Sequence, residues 1–373
     1  MRVALVFPGC HRRAGVERSV WEAARAWRER HDITVISSDV DGDGLDGVEI
    51  RTVGTPGQPA ALFSEAVRGV LTAGNYDDVI SFGAQDVPAS ILWVNSVHRA
   101  WLEASRRFPG TRGFERMPAL RYALPAHRAR LRVERRYFTN TRARAVVCVA
   151  DQVGRDLTRL YDVPTNKLLT VHNGFDPDEF KPGRRDERTR LRGELGIPLG
   201  AIVACIAANE LPRKGFDVLL RALARVQDPT LHVLLVGRAR PDGYADLART
   251  LGVTAQIHYA GVRDDVGAIH GASDLFVLPT KYEAFCLAIV EALASGLPVI
   301  TSDVPGARDL IVDDVNGRIL ADPNADVSLT ALLREALDDE KRARWAAAAR
   351  RSVDALAWPN VLDEADRRLF GDR

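Results

Sequence analysis

The sequence predicts an α/β protein made of two doubly wound domains that follow each other along the chain. Three observations predict this fold. The chain has 373 residues, enough for two domains of ordinary size. Short runs rich in Val, Ile and Leu alternate with amphipathic segments, as in parallel sheets that helices cover on both faces. This alternation pauses near Pro164 and then starts again.

The apolar runs predict strands in both domains. In the first domain, expected over residues 1–165, they are Val3–Phe7, Ile33–Ser37, Val48–Val53, Asp78–Phe82, Ile91–Asn95 and Ala145–Val149. In the second, expected over residues 166–355, they are Leu168–Val171, Ile202–Ala207, Leu231–Val236, Ile257–Tyr259, Leu275–Leu278 and Val299–Thr301. Residues 356–373 are expected to hold a last helix. Because ligands bind at the carboxyl ends of parallel strands, we expect a site in a cleft between the domains.

Composition and charge limit the class of protein. Hydrophobic residues make up 46% of the chain and charged residues 27%, which is typical of a folded globular protein. The 51 basic and 50 acidic residues nearly cancel, so no overall field favours nucleic acid. The first apolar run is too short for a signal peptide, and no run reaches the ~18 residues typical of a membrane-spanning helix. Four scattered cysteines form neither a zinc nor a disulfide pattern, so we expect a cytoplasmic protein.

The turn after the first predicted strand argues against two common nucleotide-binding motifs. Its sequence, Gly9–Gly15, has neither the G-x-G-x-x-G spacing of dinucleotide-binding domains nor the G-x-x-x-x-G-K-[ST] spacing of P-loops. A dehydrogenase and an NTPase are therefore disfavoured.

The most informative segment is Pro279–Ile300, whose pattern predicts a strand end, a loop, a helix, a turn and a strand. Glu283 precedes this helix and Glu291 lies inside it, eight residues later. The first helical turn leaves backbone N–H groups without helical acceptors. These are expected to be the N–H groups of Phe285, Cys286 and Leu287. Such donors suit a diphosphate, and a carboxylate suits a pair of sugar hydroxyls. The alternative is a capping carboxylate and an unrelated surface Glu.

Three further candidates lie at the ends of predicted strands. Arg213 and Lys214 follow the strand Ile202–Ala207, where a planar fork and a point charge suit a diphosphate leaving group. The alternative is two exposed residues at a helix start, where cations oppose the helix dipole. Gly15 lacks a Cβ and can bring its N–H close to phosphates, or is an ordinary turn glycine. His98 also follows a strand, and is otherwise a packed or solvated histidine.

Glu283 and Glu291, followed by Ala-Ser-Gly-Leu-Pro-Val, resemble the retaining glycosyltransferases of the GT-B fold, family 4. Further motifs of that family follow one another in the expected order. They are Ala14–Arg18, His172–Asp176, Arg213–Phe216, Val236–Gly237 and Tyr259–Val266. The resemblance covers nearly the whole chain. It implies two Rossmann-like domains that face each other across a cleft, with a last helix near Trp358–Phe370 that crosses back to the first.

The resemblance also implies a role for each candidate residue. The N-terminal domain binds the acceptor, and the C-terminal domain holds most of the nucleotide. Glu291 binds ribose hydroxyls, Glu283 binds donor-sugar hydroxyls, and His98 helps to orient sugar and acceptor. Arg213 and Lys214 stabilise the leaving diphosphate. The remaining donor-binding positions are Gly15, Val262, Arg263, Phe285, Cys286, Leu287 and Ala288.

The reaction implied by the resemblance moves a hexosyl group from a UDP- or GDP-sugar to a hydroxyl acceptor with retention. The acceptor is expected on a cell-envelope glycolipid, a polysaccharide precursor or another glycoconjugate. No metal or other cofactor is implied, since basic residues and a helix N-terminus replace it. A sugar-nucleotide epimerase, a phosphorylase and a non-catalytic nucleotide-sugar-binding protein remain as alternatives.

Two positions depart from the family pattern. Asn209 stands five residues before Lys214, where the family often has Arg. Stabilisation of the negative diphosphate then depends on Arg213 and Lys214. Cys286 stands where the family commonly has Gly. Its side chain narrows the space beside the donor sugar or is turned away.

The segment Arg99–Arg144 is strongly basic. It holds 13 Arg and three Glu, without Lys or Asp, although the whole chain has a net charge of +1. One interpretation is a solvated helical face. The other is a surface for an anionic membrane or a phosphorylated glycolipid acceptor, which would place the protein peripherally at the cytoplasmic membrane. Nucleic acid is disfavoured, because the other motifs already account for the cleft.

Overall fold

The structure is a computed structural model that describes residues 1–12, 15–107, 122, 124–139, 142–183 and 185–371. The chain forms two compact units. The first contains Met1–Glu103, the described residues between 122 and Asn173, and the last helix, whereas the second is built on Gly174–Ala357. Each unit has a parallel sheet flanked by helices, which confirms the predicted α/β fold class.

The first unit is built on a seven-stranded parallel sheet with the strand order β5-β3-β1-β6-β7-β8-β9. Its strands are β1 (Arg2–Val6), β3 (Asp32–Ser37), β5 (Glu49–Thr52), β6 (Asp78–Phe82), β7 (Ile91–Val94), β8 (Ala145–Cys148) and β9 (Leu168–Thr170). A separate pair consists of β2 (Gly9–Cys10) and β4 (Asp39–Val40). The helices are α1 (Gly15–Trp27), α2 (Ala60–Ala73), α3 (His98–Ala104), α4 (Pro125–Phe138), α5 (Asp151–Tyr161) and the last helix, α13 (Trp358–Phe370).

The second unit has a six-stranded parallel sheet with the order β12-β11-β10-β13-β14-β15. Its strands are β10 (Ile202–Ala207), β11 (Leu231–Val236), β12 (Ile257–Gly261), β13 (Leu275–Leu278), β14 (Val299–Ser302) and β15 (Gly317–Leu320). Its helices are α6 (Arg185–Glu194), α7 (Phe216–Val226), α8 (Ala245–Thr250), α9 (Val266–Gly271), α10 (Leu287–Ala294), α11 (Asp326–Leu337) and α12 (Asp339–Ala349). Short 3₁₀ turns are Ser105–Arg107, Thr165–Lys167, Pro241–Tyr244, Thr254–Gln256, Arg350–Ser352 and Asp354–Leu356.

The central strands are buried along almost their full length. Every residue of β11 and β13 is buried, and both strands contribute to one large apolar core in the second unit. A strand covered by helices on both faces needs apolar side chains in both directions, which explains why these strands are rich in Val and Leu, although β11 also contains the buried His232. The predicted strands are all present, with ends shifted by no more than two residues.

One predicted strand belongs to the other sheet. Leu168–Val171 was expected to open the second domain, but β9 pairs with β8 and forms the edge of the first sheet. The sequence prediction was wrong because the pause near Pro164 is a single 3₁₀ turn between α5 and β9, not a change of domain. The sequence prediction also missed β15, a short half-buried edge strand.

The last helix packs against α1 within the first unit. Trp27 Nε1 donates a hydrogen bond to the carbonyl of Leu362 at 3.0 Å. Asp366 accepts from Arg30 at 2.7 Å and lies 2.6 Å from His31 Nε2. Apolar packing and ion pairs thus attach the end of the chain to its first helix. Among the described residues, no helix is both long and apolar enough to cross a membrane.

The strand order of the second sheet fixes where its candidate site lies. β10 pairs with β11 on one side and with β13 on the other, so successive connections leave β10 in opposite directions. Loops diverge at such a switch point and leave a crevice beyond the carboxyl ends of the two strands. The loop after β10 carries Arg213 and Lys214, and the loop after β13 carries Glu283.

Candidate functional site

The loop after β10 is shaped by a glycine that no other residue can replace without strain. Gly215 precedes α7 with φ of +71°. A Cβ at Gly215 would lie 2.0 Å from the carbonyl oxygen of Pro279. The backbone N–H of Lys281 also donates to the carbonyl of Arg213 at 2.8 Å. The two loops therefore touch through their backbones, which fixes the positions of their side chains.

Arg213 and Lys214 meet Glu283 directly. Oε1 of Glu283 lies 2.8 Å from Arg213 Nη1 and 2.7 Å from Lys214 Nζ. Thr280 Oγ1 donates a third hydrogen bond to the same oxygen at 2.9 Å. Arg213 Nη1 also donates to the carbonyl of Tyr282 at 2.8 Å. The structure thus brings together three residues that the sequence predicted as one site.

The charge of Glu283 results from two opposing effects. The side chain is only 7% exposed, and this burial alone would raise its pKa. The charges of Lys214 and Arg213 and the hydrogen bonds of Lys214 and Thr280 outweigh burial, so the pKa of Glu283 is lowered. Glu283 is therefore a carboxylate near pH 7. It accepts hydrogen bonds and cannot act as a general acid there.

The helix that follows starts later than predicted. α10 begins at Leu287, and Cys286 is the residue before it. The backbone N–H of Cys286 donates to the carbonyl of Gly306 at 3.1 Å, so it is not an unpaired donor as predicted. Phe285 lies outside the helix. The N–H groups at the start of α10 that find no backbone acceptor in the described chain are those of Leu287 and Ala288.

The side chain of Cys286 is turned into the protein. It is buried, and its Sγ lies 3.8 Å from Lys214 Nζ. Burial raises the pKa of the Cys286 thiol to about 11, so the group is a neutral thiol near pH 7. Phe285 and Ala288 are partly buried against the same apolar core. Of the two possibilities for Cys286, the structure shows the second, because the side chain is turned into the protein beside Lys214.

The remaining predicted positions of the second unit lie on neighbouring elements. Glu291 is half-buried, one helical turn into α10. Val262 follows β12 with its side chain 70% exposed. The guanidinium of Arg263 is 2.7 Å from both Asp265 and Glu194, and these hydrogen bonds raise its pKa. The side chain of Arg263 is therefore already paired with two acids of its own unit.

Gly15 and His98 lie in the first unit. Gly15 is the exposed first residue of α1, and its predecessor Ala14 lies outside the described residues. His98 is the first residue of α3, and Glu134 caps this helix by accepting from the backbone N–H groups of His98 and Arg99. His98 stands between the end of β7 and the rest of α3, and the buried carboxylate of Glu134 from α4 fixes its backbone there.

His98 has an aromatic environment that the sequence did not predict. Its Nε2 lies 3.0 Å from Nδ1 of His127, and its ring stacks on Trp101 with centroids 5.5 Å apart. Burial, together with the nearby charges of Arg130 and His127, lowers the pKa of His98 to about 4. His98 is therefore neutral near pH 7. Sequence reasoning did not find this contact, because His98 and His127 stand 29 positions apart in the chain.

His98 makes the folded chain sensitive to acid. An unfolded histidine titrates near pH 6.5 and folded His98 near 4. Between these values the unfolded chain binds a proton that the folded chain does not, so stability falls as pH drops through this window. We expect His98→Gln to reduce the loss of melting temperature between pH 7 and pH 5, relative to the unmodified chain. An unchanged loss would show that His98 titrates normally in the fold.

Thr280 and Gly306 complete the second-unit site and were not predicted, and Gly215 was named only as part of the motif Arg213–Phe216. Thr280 donates to Glu283, Gly215 allows the two loops to touch, and Gly306 accepts from Cys286. Gly215 could have been found from that motif, although the residue before a helix usually has an extended rather than a left-handed backbone. Gly306 could not, because its contact joins loops distant in sequence.

Comparisons with known proteins agree with this geometry. The family model described as glycosyl transferases group 1 matches residues 187–352, and the model described as glycosyltransferase family 4 matches residues 13–179. The chain belongs to the family 4 glycosyltransferases, group 1. The two matches divide this family 4 chain much as its two sheets do. The second match contains Gly15 and His98, and the first contains every other predicted site residue.

Individual relatives cover different shares of the family 4 chain. The D-inositol 3-phosphate glycosyltransferase of Corynebacterium kroppenstedtii is 33% identical over 207 residues, which is 52% of this chain and 46% of that protein. The chain thus matches about half the length of this curated relative. The crystal structure of WaaG, a glycosyltransferase involved in lipopolysaccharide biosynthesis, is 23% identical with a TM-score of 0.81 and full coverage of both chains. HepE of Anabaena, solved in complex with UDP and glucose, is 20% identical over 99% of this chain and 98% of HepE, with a TM-score of 0.71. These structural likenesses confirm the GT-B fold.

Proposed function

We propose that this chain is a retaining glycosyltransferase that moves a hexosyl group from a nucleotide diphosphate sugar to a hydroxyl acceptor. The observation that carries the proposal is the meeting of Arg213, Lys214 and Glu283 at the β10–β13 switch point. Two cations can stabilise a leaving diphosphate, and a buried carboxylate can bind the hydroxyls of the sugar. Membership of family 4 and the UDP and glucose in the HepE structure support a sugar nucleotide, with UDP or GDP as its nucleotide.

The proposed reaction exchanges one C–O bond for another. The bond between the anomeric carbon and the terminal phosphate oxygen breaks, and the acceptor oxygen bonds to the same face of the anomeric carbon. The acceptor hydroxyl gives its proton to the leaving phosphate oxygen, so no enzyme nucleophile is needed. The protein supplies charge where the diphosphate leaves, through the Arg213 guanidinium and the Lys214 ammonium.

Other residues hold the donor in this proposal. Glu291 binds the ribose hydroxyls, and the backbone at Val262 and Arg263 binds the base. The diphosphate is also stabilised by the N–H groups of Leu287 and Ala288 and by the positive end of the α10 dipole. The remaining donor-binding positions are Gly15, Phe285 and Cys286. His98 orients the sugar and the acceptor, for which its neutral ring is suited as donor and acceptor of hydrogen bonds.

The proposal needs no metal, because Arg213 and Lys214 carry the charge that a divalent cation would supply. Transfer should therefore continue in a chelator. A loss of transfer on chelation that Mg²⁺ or Mn²⁺ restores would contradict this part of the proposal.

A panel of nucleotides tests the proposal first. A ligand that binds the native state raises its melting temperature, so UDP, GDP, ADP and their sugars can be compared directly. We expect one nucleotide series to raise the melting temperature and the others not. A panel without any effect would contradict a nucleotide-sugar site. Donor incubated alone distinguishes the alternatives, since an epimerase changes the free sugar nucleotide and a binding protein leaves every donor and acceptor intact.

The acceptor is proposed to be anionic or lipid-linked, such as a cell-envelope glycolipid or polysaccharide precursor. Within the basic segment, Arg99 pairs with Glu103 and Arg144 with Asp78, so part of the charge is neutralised. In contrast, several exposed arginines of α4 have no acidic partner among the described residues. They are Arg128, Arg132 and Arg135. This face of α4 supports a peripheral contact with an anionic membrane at the cytoplasmic side.

Vesicle binding tests the membrane contact. The chain should sediment with vesicles rich in phosphatidylglycerol and not with phosphatidylcholine vesicles. Because each arginine near an anionic surface contributes ~1 kcal/mol, replacing Arg128, Arg132 and Arg135 by Gln should weaken binding by more than about tenfold. The control replaces three exposed arginines of the second unit. They are Arg221, Arg249 and Arg351. Equal losses in both triple variants would indicate only a general charge effect.

A further inference from the structure

Glu283 occupies the same cationic groups that the proposed function assigns to the diphosphate. Arg213 Nη1 and Lys214 Nζ both lie within 2.8 Å of Glu283 Oε1. A phosphate oxygen that receives hydrogen bonds from these two groups must share them with the carboxylate or displace it. Glu283 and the diphosphate are therefore competitors for one pair of cations.

The charges of this cluster nearly cancel. Besides Glu283, Arg213 has a second acidic partner, because its Nε lies 3.1 Å from Glu210 Oε2. Two cations thus face two carboxylates. The two acids differ in environment, since the side chain of Glu283 is 7% exposed and that of Glu210 is 53% exposed. Water screens Glu210, whereas Glu283 repels an incoming anion with little screening.

The loop structure keeps the Glu283 carboxylate in place. Thr280 Oγ1 donates to it at 2.9 Å, and Arg213 is held at the same time by the carbonyl of Tyr282. The contact between Gly215 and Pro279 locks the two loops together. The carboxylate is therefore a fixed part of the site and does not turn to solvent.

We propose that Glu283 makes the site select the intact nucleotide sugar over the free nucleoside diphosphate. This inference rests on the proposed function. The hydroxyls of a bound sugar donate hydrogen bonds to Glu283 and so compensate for the cations that it gives up to the diphosphate. The free nucleoside diphosphate lacks these donors and carries more negative charge than the sugar nucleotide, because its terminal phosphate ionises a second time near pH 6. Its attraction to Arg213 and Lys214 is therefore opposed by Glu283 without compensation. The same residue thus favours donor binding and the release of the nucleotide product.

Isothermal titration calorimetry with inorganic pyrophosphate and with UDP tests this role. Glu283→Gln keeps the size of the side chain and removes its charge. We expect it to tighten the binding of both probes at least about fivefold, while hexosyl transfer falls. Glu283→Ala gives a second variant with the same expected direction, and its melting curve reports whether it folds. If Glu283 had a merely structural role, these substitutions would weaken both the binding of the probes and hexosyl transfer.

Glu210→Gln is the matched control, because it removes a carboxylate from the same arginine at an exposed position. It should change the binding of pyrophosphate less than about twofold. If Glu283→Gln or Glu283→Ala folds and binds pyrophosphate no more tightly than the unmodified chain, the inference is wrong and the proposed function stands. If the unmodified chain binds neither pyrophosphate nor any nucleoside diphosphate, the proposed function itself fails.

Discussion

Lys214→Ala lowers the maximal rate of hexosyl transfer by at least about tenfold, because it removes the point charge that stabilises the leaving diphosphate. In the structure, Lys214 Nζ lies 2.7 Å from Glu283 Oε1 at the switch point of the second sheet. The variant keeps the folded site, since Arg213 and Thr280 still donate to Glu283. The rate is measured as nucleoside diphosphate released at saturating donor.

The matched control for this variant is Lys341→Ala. Lys341 lies on α12 of the same unit and contacts Glu335 at 3.7 Å, away from the two site loops. Its removal should leave the transfer rate unchanged within about twofold. Wild-type activity in Lys214→Ala, with a normal melting curve, would remove Lys214 from the proposed site.

Gly215→Ala destabilises the second unit and abolishes most of the transfer activity. At φ of +71° a Cβ costs about 1 kcal/mol by itself. This Cβ would also lie 2.0 Å from the carbonyl oxygen of Pro279, so the two site loops must move apart. We expect a total loss of more than about 2 kcal/mol in the free energy of unfolding, measured by urea denaturation.

Gly252→Ala separates the conformational cost of a Cβ at positive φ from the clash with Pro279. Gly252 has nearly the same φ, +73°, but a Cβ there would meet no atom within 4 Å. It should therefore cost only the conformational term of about 1 kcal/mol and leave transfer unchanged. Equal losses of stability in the two variants would show that the contact with Pro279 does not hold the loops together.

Much of the fold could be predicted because local patterns determine it. A fully buried strand such as Leu275–Leu278 is a continuous apolar run that is visible in the sequence. The edge strand β9 was assigned to the wrong sheet, because its pairing with β8 depends on contacts across the fold. A half-buried edge strand such as β15 has no such run, and the sequence did not reveal it.

The candidate site was also predicted only in part. Arg213, Lys214 and Glu283 could be placed together because each follows a strand, and strand ends meet at one edge of a parallel sheet. The predicted start of α10 was wrong by two residues. The N–H of Cys286 donates to the carbonyl of Gly306, and the helix begins only at Leu287. Contacts between distant loops decide such details, and no local pattern reports them.

The most direct test of the central claim is ¹H NMR of a transfer reaction. The chain is incubated with UDP- and GDP-hexoses, with EDTA, and with a panel of anionic hydroxyl acceptors. We expect a new anomeric signal of the donor's configuration, equal release of nucleoside diphosphate, and loss of both in Lys214→Ala. A product of inverted configuration, or an epimerised sugar nucleotide without any new glycoside, would contradict the proposed function.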